Sequence, residues 1–210
     1  MQPFTIQVGT AAILWRENVD TDQIIPKDFL KSIKRTGFGE HLFEDWRYLS
    51  DGSDNPEFEL NKPEAKGASF LIVGNNFGCG SSREHAVWAV MQYGFCAVIA
   101  PVKGCGDKRI PGFADIFKSN ALKNGLLTIE LDLADVEELK NVVEKNPTAV
   151  MTIDLNAGEI RFANFIKKFH TDSAAREKLL KGLDDIAMTL LDEDVIRDFE
   201  ARHDVQWYLP

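Results

Sequence analysis

A strand–helix–strand pattern near the middle of the chain constrains the fold most. The apolar runs "ASFLIVG" (68–74) and "FCAVIA" (95–100) are typical of buried strands. Between them, "SREHAVWAVMQY" (82–93) is typical of a helix that ends at Gly94. Two strands joined by a helix over this length pair in parallel through a right-handed crossover. The sequence therefore predicts a parallel β-sheet.

Further segments extend the alternation of strands and helices. They are, in chain order, a strand (126–132), a helix stopped by Asn146-Pro147 (133–146), a hairpin turning at 156–158 (149–163) and two closing helices (173–182 and 192–203). The polar segment 50–67 contains Pro and Gly and is predicted to be a surface loop. With 210 residues and no internal repeat, the chain is expected to form one domain of the α/β class.

Composition excludes several classes of protein. The chain has 33 acidic and 24 basic residues, and this net charge of −9 argues against nucleic-acid binding. Neither a membrane-spanning run nor a secretory signal is present, which predicts a cytoplasmic protein. Cys79, Cys96 and Cys105 are irregularly spaced and form no C-x-x-C pair, so reduced thiols are favoured over a disulfide or a metal site.

The loop "NNFGCGSSREHAVW" (75–88) lacks the residues of three common catalytic or nucleotide-binding loops. A phosphate-binding loop needs Lys where Ser81 stands, and a dinucleotide-binding loop needs Gly at Arg83. A hydrolase elbow needs Gly at Glu84. The chemistry of this loop therefore has to come from its own residues.

Those residues favour a carboxylate site. The loop follows a strand and opens a helix, and free N–H groups at a helix start attract anions. Gly78 and Gly80 leave room for close approach, and Arg83 can hold a carboxylate through two parallel hydrogen bonds. The alternative is that Ser81 and Glu84 merely form a capping box at the helix start.

A second polar stretch, "NVDTDQIIP" (18–26), carries Asp20 and Asp22. By itself it indicates no more than a turn in which one of the aspartates bonds to nearby backbone. The stretch is followed along the chain, in this order, by the motifs "NFGCGSSREHA", "FADIF", "KNGLL" and "GLDDIAMTLLDEDVIRDFEAR". Together with "KDFLKSIKRTGFGEHLFEDWRY" (27–48), these motifs resemble the small subunits of bacterial 3-isopropylmalate dehydratases, almost from end to end.

The resemblance implies an aconitase-type swivelling domain of β/β/α arrangement over residues 1–210, with a C-terminal helical extension. It implies a hydro-lyase of leucine biosynthesis that works with a large subunit. The large subunit would carry a [4Fe–4S] cluster, and this chain would hold no metal. The alternatives are a subunit of a homoaconitase or of a methyl-substituted maleate hydratase, or a carboxylate-binding domain without catalysis.

The resemblance also implies roles for residues of both stretches. Ser81 corresponds to the base that removes a carbon-bound proton, while Ser82 and Arg83 would contact substrate carboxylates. Asp22 would orient partners or move protons. Four residues of the following segment would contact the variable end of the substrate or, alternatively, dock on the large subunit: Leu30, Ile33, Lys34 and Arg35. Of these, Lys34 and Arg35 fall near a substrate-binding arginine of the superfamily.

One insertion departs from many of the proteins that the chain resembles. Residues 102–112, "VKGCGDKRIPG", stand where the strand usually runs almost directly into "FADIF". This segment is predicted to be a longer surface loop. The alternative is that Lys108 or Arg109 reaches the substrate.

Overall fold

The structure is a computed structural model that describes residues 1–31 and 35–203, without the side chains of Leu30 and Lys31. Its strands are β1 (Ile6–Gly9), β2 (Ala11–Leu14), β3 (Phe70–Val73), β4 (Ala97–Val102), β5 (Leu127–Asp132), β6 (Met151–Asp154), β7 (Glu159–Phe162) and β8 (Phe165–Lys168). Its α-helices are α1 (Thr21–Ile24), α2 (Glu44–Arg47), α3 (Glu84–Tyr93), α4 (Asp115–Asn124), α5 (Leu133–Lys145), α6 (Ser173–Lys181), α7 (Asp185–Leu190) and α8 (Glu193–Arg202).

The predicted parallel sheet is present, with strand order β2-β3-β4-β5. The strand–helix–strand unit consists of β3, α3 and β4, in which Phe70 pairs with Ala97. Both faces of the sheet are covered, so neighbouring residues of one strand enter different apolar clusters. Leu71 and Val73 pack with α3 and α4, whereas Phe70 and Ile72 pack toward α5 and the second sheet.

The second sheet is antiparallel, with strand order β1-β6-β7-β8. The predicted hairpin forms its β6 and β7, and β1 adds to the edge of β6 through pairs from Ile6 with Asp154 to Gly9 with Met151. A parallel sheet between helices on one side and a second sheet on the other is a β/β/α arrangement, which confirms the predicted fold class. Among the described residues, no helix is long and apolar enough to cross a bilayer.

Two sequence-based boundaries need correction. Helix α3 begins at Glu84, because Arg83 is in an extended conformation (φ −136°, ψ 112°) and Ser82 precedes it outside the helix. The segment 50–67 is more than a surface loop. Its Phe58 and Leu60 are each 1% exposed and belong to the same apolar cluster as α3.

The insertion 102–112 lies at the surface, as predicted. Lys103 and Ile110 form an antiparallel bridge across it, and the residues between them are exposed. Arg109 is directed to Glu130 of β5, with 3.5 Å between Nη2 and Oε2. The grouping of all layers into a single domain with a C-terminal extension remains a proposal.

Candidate active site

Two loops that follow neighbouring parallel strands meet at the carboxyl edge of the sheet. The loop after β2 and the loop after β3 are joined by backbone hydrogen bonds. The carbonyl of Val19 accepts from the N–H of Gly78 at 2.8 Å, and the N–H of Thr21 donates to the carbonyl of Cys79 at 2.9 Å. The stretches 18–26 and 75–88, which are far apart in the sequence, therefore form one site.

Asp20 and Asp22 have different tasks in this site. Asp20 caps α1, since its Oδ1 accepts from the N–H of Gln23 at 2.8 Å while its own N–H donates to Gln23 Oε1 at 2.9 Å. This reciprocal pair is a capping box, so the predicted turn with local bonding is confirmed for Asp20. Asp22 in the first turn instead accepts a hydrogen bond from Nη1 of Arg83.

Arg83 is largely buried, with a side chain that is 10% exposed, whereas the side chain of Asp22 is 37% exposed. Lys27 is a more distant cation near Asp22, with 3.9 Å between Nζ and Oδ2. A guanidinium presents several N–H groups in a fixed plane. Because Asp22 holds one of its nitrogens, the orientation of the others is constrained.

Ser81 and Ser82 are both exposed, directly before Arg83. The residue that caps α3 is Arg83, and its side chain makes no capping hydrogen bond within the described structure. The alternative capping box of Ser81 and Glu84 is therefore wrong. The backbone of Ser81 is fixed by Thr21, whose Oγ1 donates to the Ser81 carbonyl at 2.9 Å.

The two glycines of the loop serve different purposes. Gly78 is buried with φ +74°, and a Cβ built there would lie 2.4 Å from the ring of Phe117. The missing side chain at Gly78 thus makes room for helix α4, and the expectation that it admits a ligand is wrong. Gly80 is exposed, and a Cβ built there would lie 3.4 Å from its nearest neighbour, Cβ of Asp20.

The remaining predicted site residues are only partly described. Arg35 is exposed and its guanidinium lies 5.8 Å from the centre of the Trp88 ring. Ile33, Lys34 and the side chain of Leu30 lie outside the described residues, so their predicted roles stay predictions. Gln23 was missed as a structural residue, although the spacing Asp20-x-x-Gln23 is a recognisable capping signal.

The cysteines do not fit an iron–sulfur cluster. Cys79 lies at the carboxyl edge of the parallel sheet, and Cys96 precedes β4 at the opposite edge. Burial is the main cause that raises the pKa of the Cys79 thiol, and the nearby charge of Asp20 adds to it. The thiol is therefore protonated at neutral pH. Across the described ranges, no group of three or more His, Cys, Asp or Glu side chains is arranged to hold a metal ion.

Comparison with known proteins places this chain in a family. The family model described as "Aconitase C-terminal domain" matches residues 1–134. The small subunit of 3-isopropylmalate dehydratase from Rhodopirellula baltica is 54% identical over 202 residues, which cover 95% of this chain and 98% of the relative. The chain belongs to the 3-isopropylmalate dehydratase small-subunit family.

Further comparisons give the same family assignment. The Desulforapulum autotrophicum protein is 50% identical over 205 residues, covering 96% of both chains. A second family model, which describes the C-terminal domain of the 3-isopropylmalate dehydratase small subunit, matches residues 185–207. The solved structure of a 3-isopropylmalate dehydratase from Methanocaldococcus jannaschii is 27% identical and superposes with a TM-score of 0.62, covering 93% of this chain and 99% of that one.

Proposed function

We propose that this chain is the small subunit of a 3-isopropylmalate dehydratase, which interconverts 2- and 3-isopropylmalate by dehydration and rehydration in leucine biosynthesis. The observation that carries the proposal is the identity of 50–54% to small subunits of that name over nearly the whole of both chains. The joined loops of the candidate active site support it, because they bring Asp22 to the largely buried Arg83, which follows two exposed serines at one edge of the sheet.

In the proposed reaction, Ser81 Oγ takes the proton from carbon. The carbon–hydrogen bond breaks and its electron pair forms the carbon–carbon double bond, while the carbon–oxygen bond on the neighbouring carbon breaks. The departing hydroxide takes up a proton from solvent, for which Asp22 is the proposed relay, and leaves as water. A serine hydroxyl is a weak base, so its deprotonated form has to be stabilised by positive charge and N–H groups. Two such groups lie next to Ser81 in the sequence: the Arg83 guanidinium and the N–H groups at the start of α3. Within the described residues, the Arg83 side chain makes no capping hydrogen bond to those N–H groups.

Arg83 and Ser82 are proposed to bind substrate carboxylate. Asp22 holds Nη1 of Arg83, which leaves the remaining N–H groups of the guanidinium for the ligand. Asp22 is itself exposed enough to exchange protons with solvent or substrate. These roles follow the residue correspondence with the family, and the contact between Asp22 and Arg83 supports placing both in one site.

The name "small subunit" shared by the relatives implies a large-subunit partner. We assign the [4Fe–4S] cluster to that partner, because the three cysteines of this chain are poorly placed for a common cluster. The two subunits would complete the site together. The predicted cytoplasmic location stays a prediction.

Reconstitution with a cluster-loaded large subunit tests the proposal. The complex is assayed on 2-isopropylmalate, homoaconitate and a methyl-substituted maleate, and each subunit alone is the control. Turnover of isopropylmalate with the highest specificity constant is expected. A preference for homoaconitate or the maleate would assign the chain to a sister hydro-lyase, and binding without turnover would favour a carboxylate-binding domain.

A further inference from the structure

One face of α3 carries three side chains that contact the chain segment ending at Phe38. His85, Trp88 and Gln92 follow one another at spacings of three and four residues, so they line one stripe of the helix. The ring of Phe38 lies 5.0 Å from that of His85 and 5.7 Å from that of Trp88, measured between centroids. The segment is therefore seated on the stripe.

Gln92 holds both ends of this short segment. Its Nε2 donates to the carbonyl of Arg35 at 2.8 Å, and its Oε1 accepts from the N–H of Phe38 at 2.9 Å. Phe38 is only 2% exposed, so its N–H group requires a partner inside the protein. A single side-chain amide thus fixes the backbone on either side of residues 36 and 37.

The Arg35 side chain runs from Gln92 back along the helix. Its carbonyl is bound at Gln92, while its guanidinium lies 5.8 Å from the centre of the Trp88 ring, one turn nearer the helix start. That separation is within the range of a cation–π interaction. Trp88 is four residues from Glu84, the first residue of α3, which corresponds to about 6 Å along the axis.

The Trp88 ring is itself fixed by hydrogen bonds. Its Nε1 donates to Asn124 Oδ1 at 2.8 Å, and Nδ2 of Asn124 donates to Glu84 Oε1 at 2.8 Å. Asn124 belongs to α4, so the ring orientation depends on the packing of α3 against α4. This arrangement links the start of α3 to the place where Arg35 lies.

We propose that Gln92 is a positioning residue that, with the Trp88 ring, directs the Arg35 guanidinium toward the start of α3 for a carboxylate of the substrate. The inference rests on the proposed function. A dicarboxylate has two groups to bind, and Arg83 serves one of them. Arg35, whose guanidinium lies beside Trp88 about one helical turn along α3 from Glu84, serves the other, so Gln92 determines affinity without contacting the substrate.

Two substitutions separate the two hydrogen bonds of Gln92. Gln92→Met removes both and keeps the length of the side chain. Gln92→Glu keeps the acceptor for Phe38 N–H and loses the donor to the Arg35 carbonyl. Gln92 is exposed, so neither change opens a cavity in the core.

In the reconstituted complex, Gln92→Glu is expected to raise KM for the dicarboxylate about fivefold, as expected for one hydrogen bond, and Gln92→Met by at least as much, with kcat within twofold for both. In an Arg35→Gln background, which itself raises KM, neither change should have a further effect. Wild-type KM in Gln92→Glu, or an equal loss in both backgrounds, would overturn the inference.

A measurement on the free chain keeps this test independent of the proposed function. In ¹⁵N NMR spectra, the Nε–H resonance of Arg35 should carry a ring-current shift that disappears in Trp88→Leu. Gln92→Met should remove the same shift. If the shift persists in Gln92→Met, the positioning role is wrong, whatever the substrate of the complex. If the shift is lost but the complex ignores isopropylmalate, only the proposed function fails.

Discussion

Gly78→Ala should destabilise the protein by much more than the same change at an unobstructed glycine. The backbone at Gly78 has φ +74°, and a Cβ there would lie 2.4 Å from carbon atoms of the Phe117 ring. Phe117 is 1% exposed and packs against Phe77, with ring centroids 5.2 Å apart, so the ring has little room to move. The new methyl group has to displace the loop, the ring or both.

The expected loss of unfolding free energy in Gly78→Ala is the sum of two contributions. A left-handed conformation costs a residue with a Cβ about 1–2 kcal/mol. Overpacking of a well-filled core adds about 1–3 kcal/mol. We therefore expect Gly78→Ala to lower the free energy of unfolding by about 2–5 kcal/mol.

Gly52→Ala is the matched control. Gly52 has φ +81°, and a Cβ added there would meet nothing within 4 Å in the described structure. This variant should show only the conformational contribution of about 1–2 kcal/mol. Urea unfolding of both variants, analysed with a common m-value, measures the difference.

A second substitution tests whether the Phe117 ring causes the extra loss of stability. Phe117→Ala removes Cγ and Cδ2, the two ring atoms nearest to the added Cβ, so Gly78→Ala should cost less in that background than in the wild type. Equal losses for Gly78→Ala and Gly52→Ala, or additive losses in the double variant, would mean that Phe117 does not fill the space at Gly78.

Three further predictions concern the site and the thiols. In the reconstituted complex, Ser81→Ala should lower kcat by about 10²-fold or more with little change in KM or unfolding free energy, since it removes a base; intact kcat would reject that role. Arg83→Lys keeps the charge but loses the planar fork, so dicarboxylate affinity should fall while the fold survives; wild-type binding would contradict this. With a thiol reagent at pH 8, exposed Cys105 should react first and Cys96 last, because burial raises the pKa of Cys96 to about 11 and leaves about one part in a thousand as thiolate. Labelling of Cys96 should accelerate as the pH rises toward 11, and equal rates for the two cysteines at pH 8 would refute the assignment.

The sequence was sufficient for the middle of the fold because its strands and helices follow one another locally. β3, α3 and β4 each have a clear apolar pattern, and their pairing follows from the crossover rule. The four-residue strands β1 and β2 were not predicted. Their pattern is too short to distinguish from a loop, and β1 finds its partner β6 far along the chain.

In the candidate active site, too, contacts between residues far apart in the sequence could not be predicted from local patterns. The ion pair of Asp22 with Arg83 joins residues 61 positions apart, and only the packing of two loops brings them together. The resemblance to a family supplied both residues, but local reasoning did not supply their contact. Phe58 and Leu60 likewise became core residues through tertiary packing, although their polar surroundings in the sequence indicated a surface loop.

The pairing of β1 with β6 affects how this protein can fold during translation. When Ile6 and Val8 leave the ribosome, residues 151–154 have not been made. At about 5–20 residues per second, the interval is roughly 7–30 s. The parallel partner of β2, strand β3, emerges much sooner, so the parallel sheet can assemble before β1 has a partner. Ile6 and Val8 are 50% and 60% exposed even in the finished fold. During that interval the apolar side chains of Ile6 and Val8 have no strand partner, which makes this segment a target for chaperones and for misassembly with neighbouring chains on a polysome.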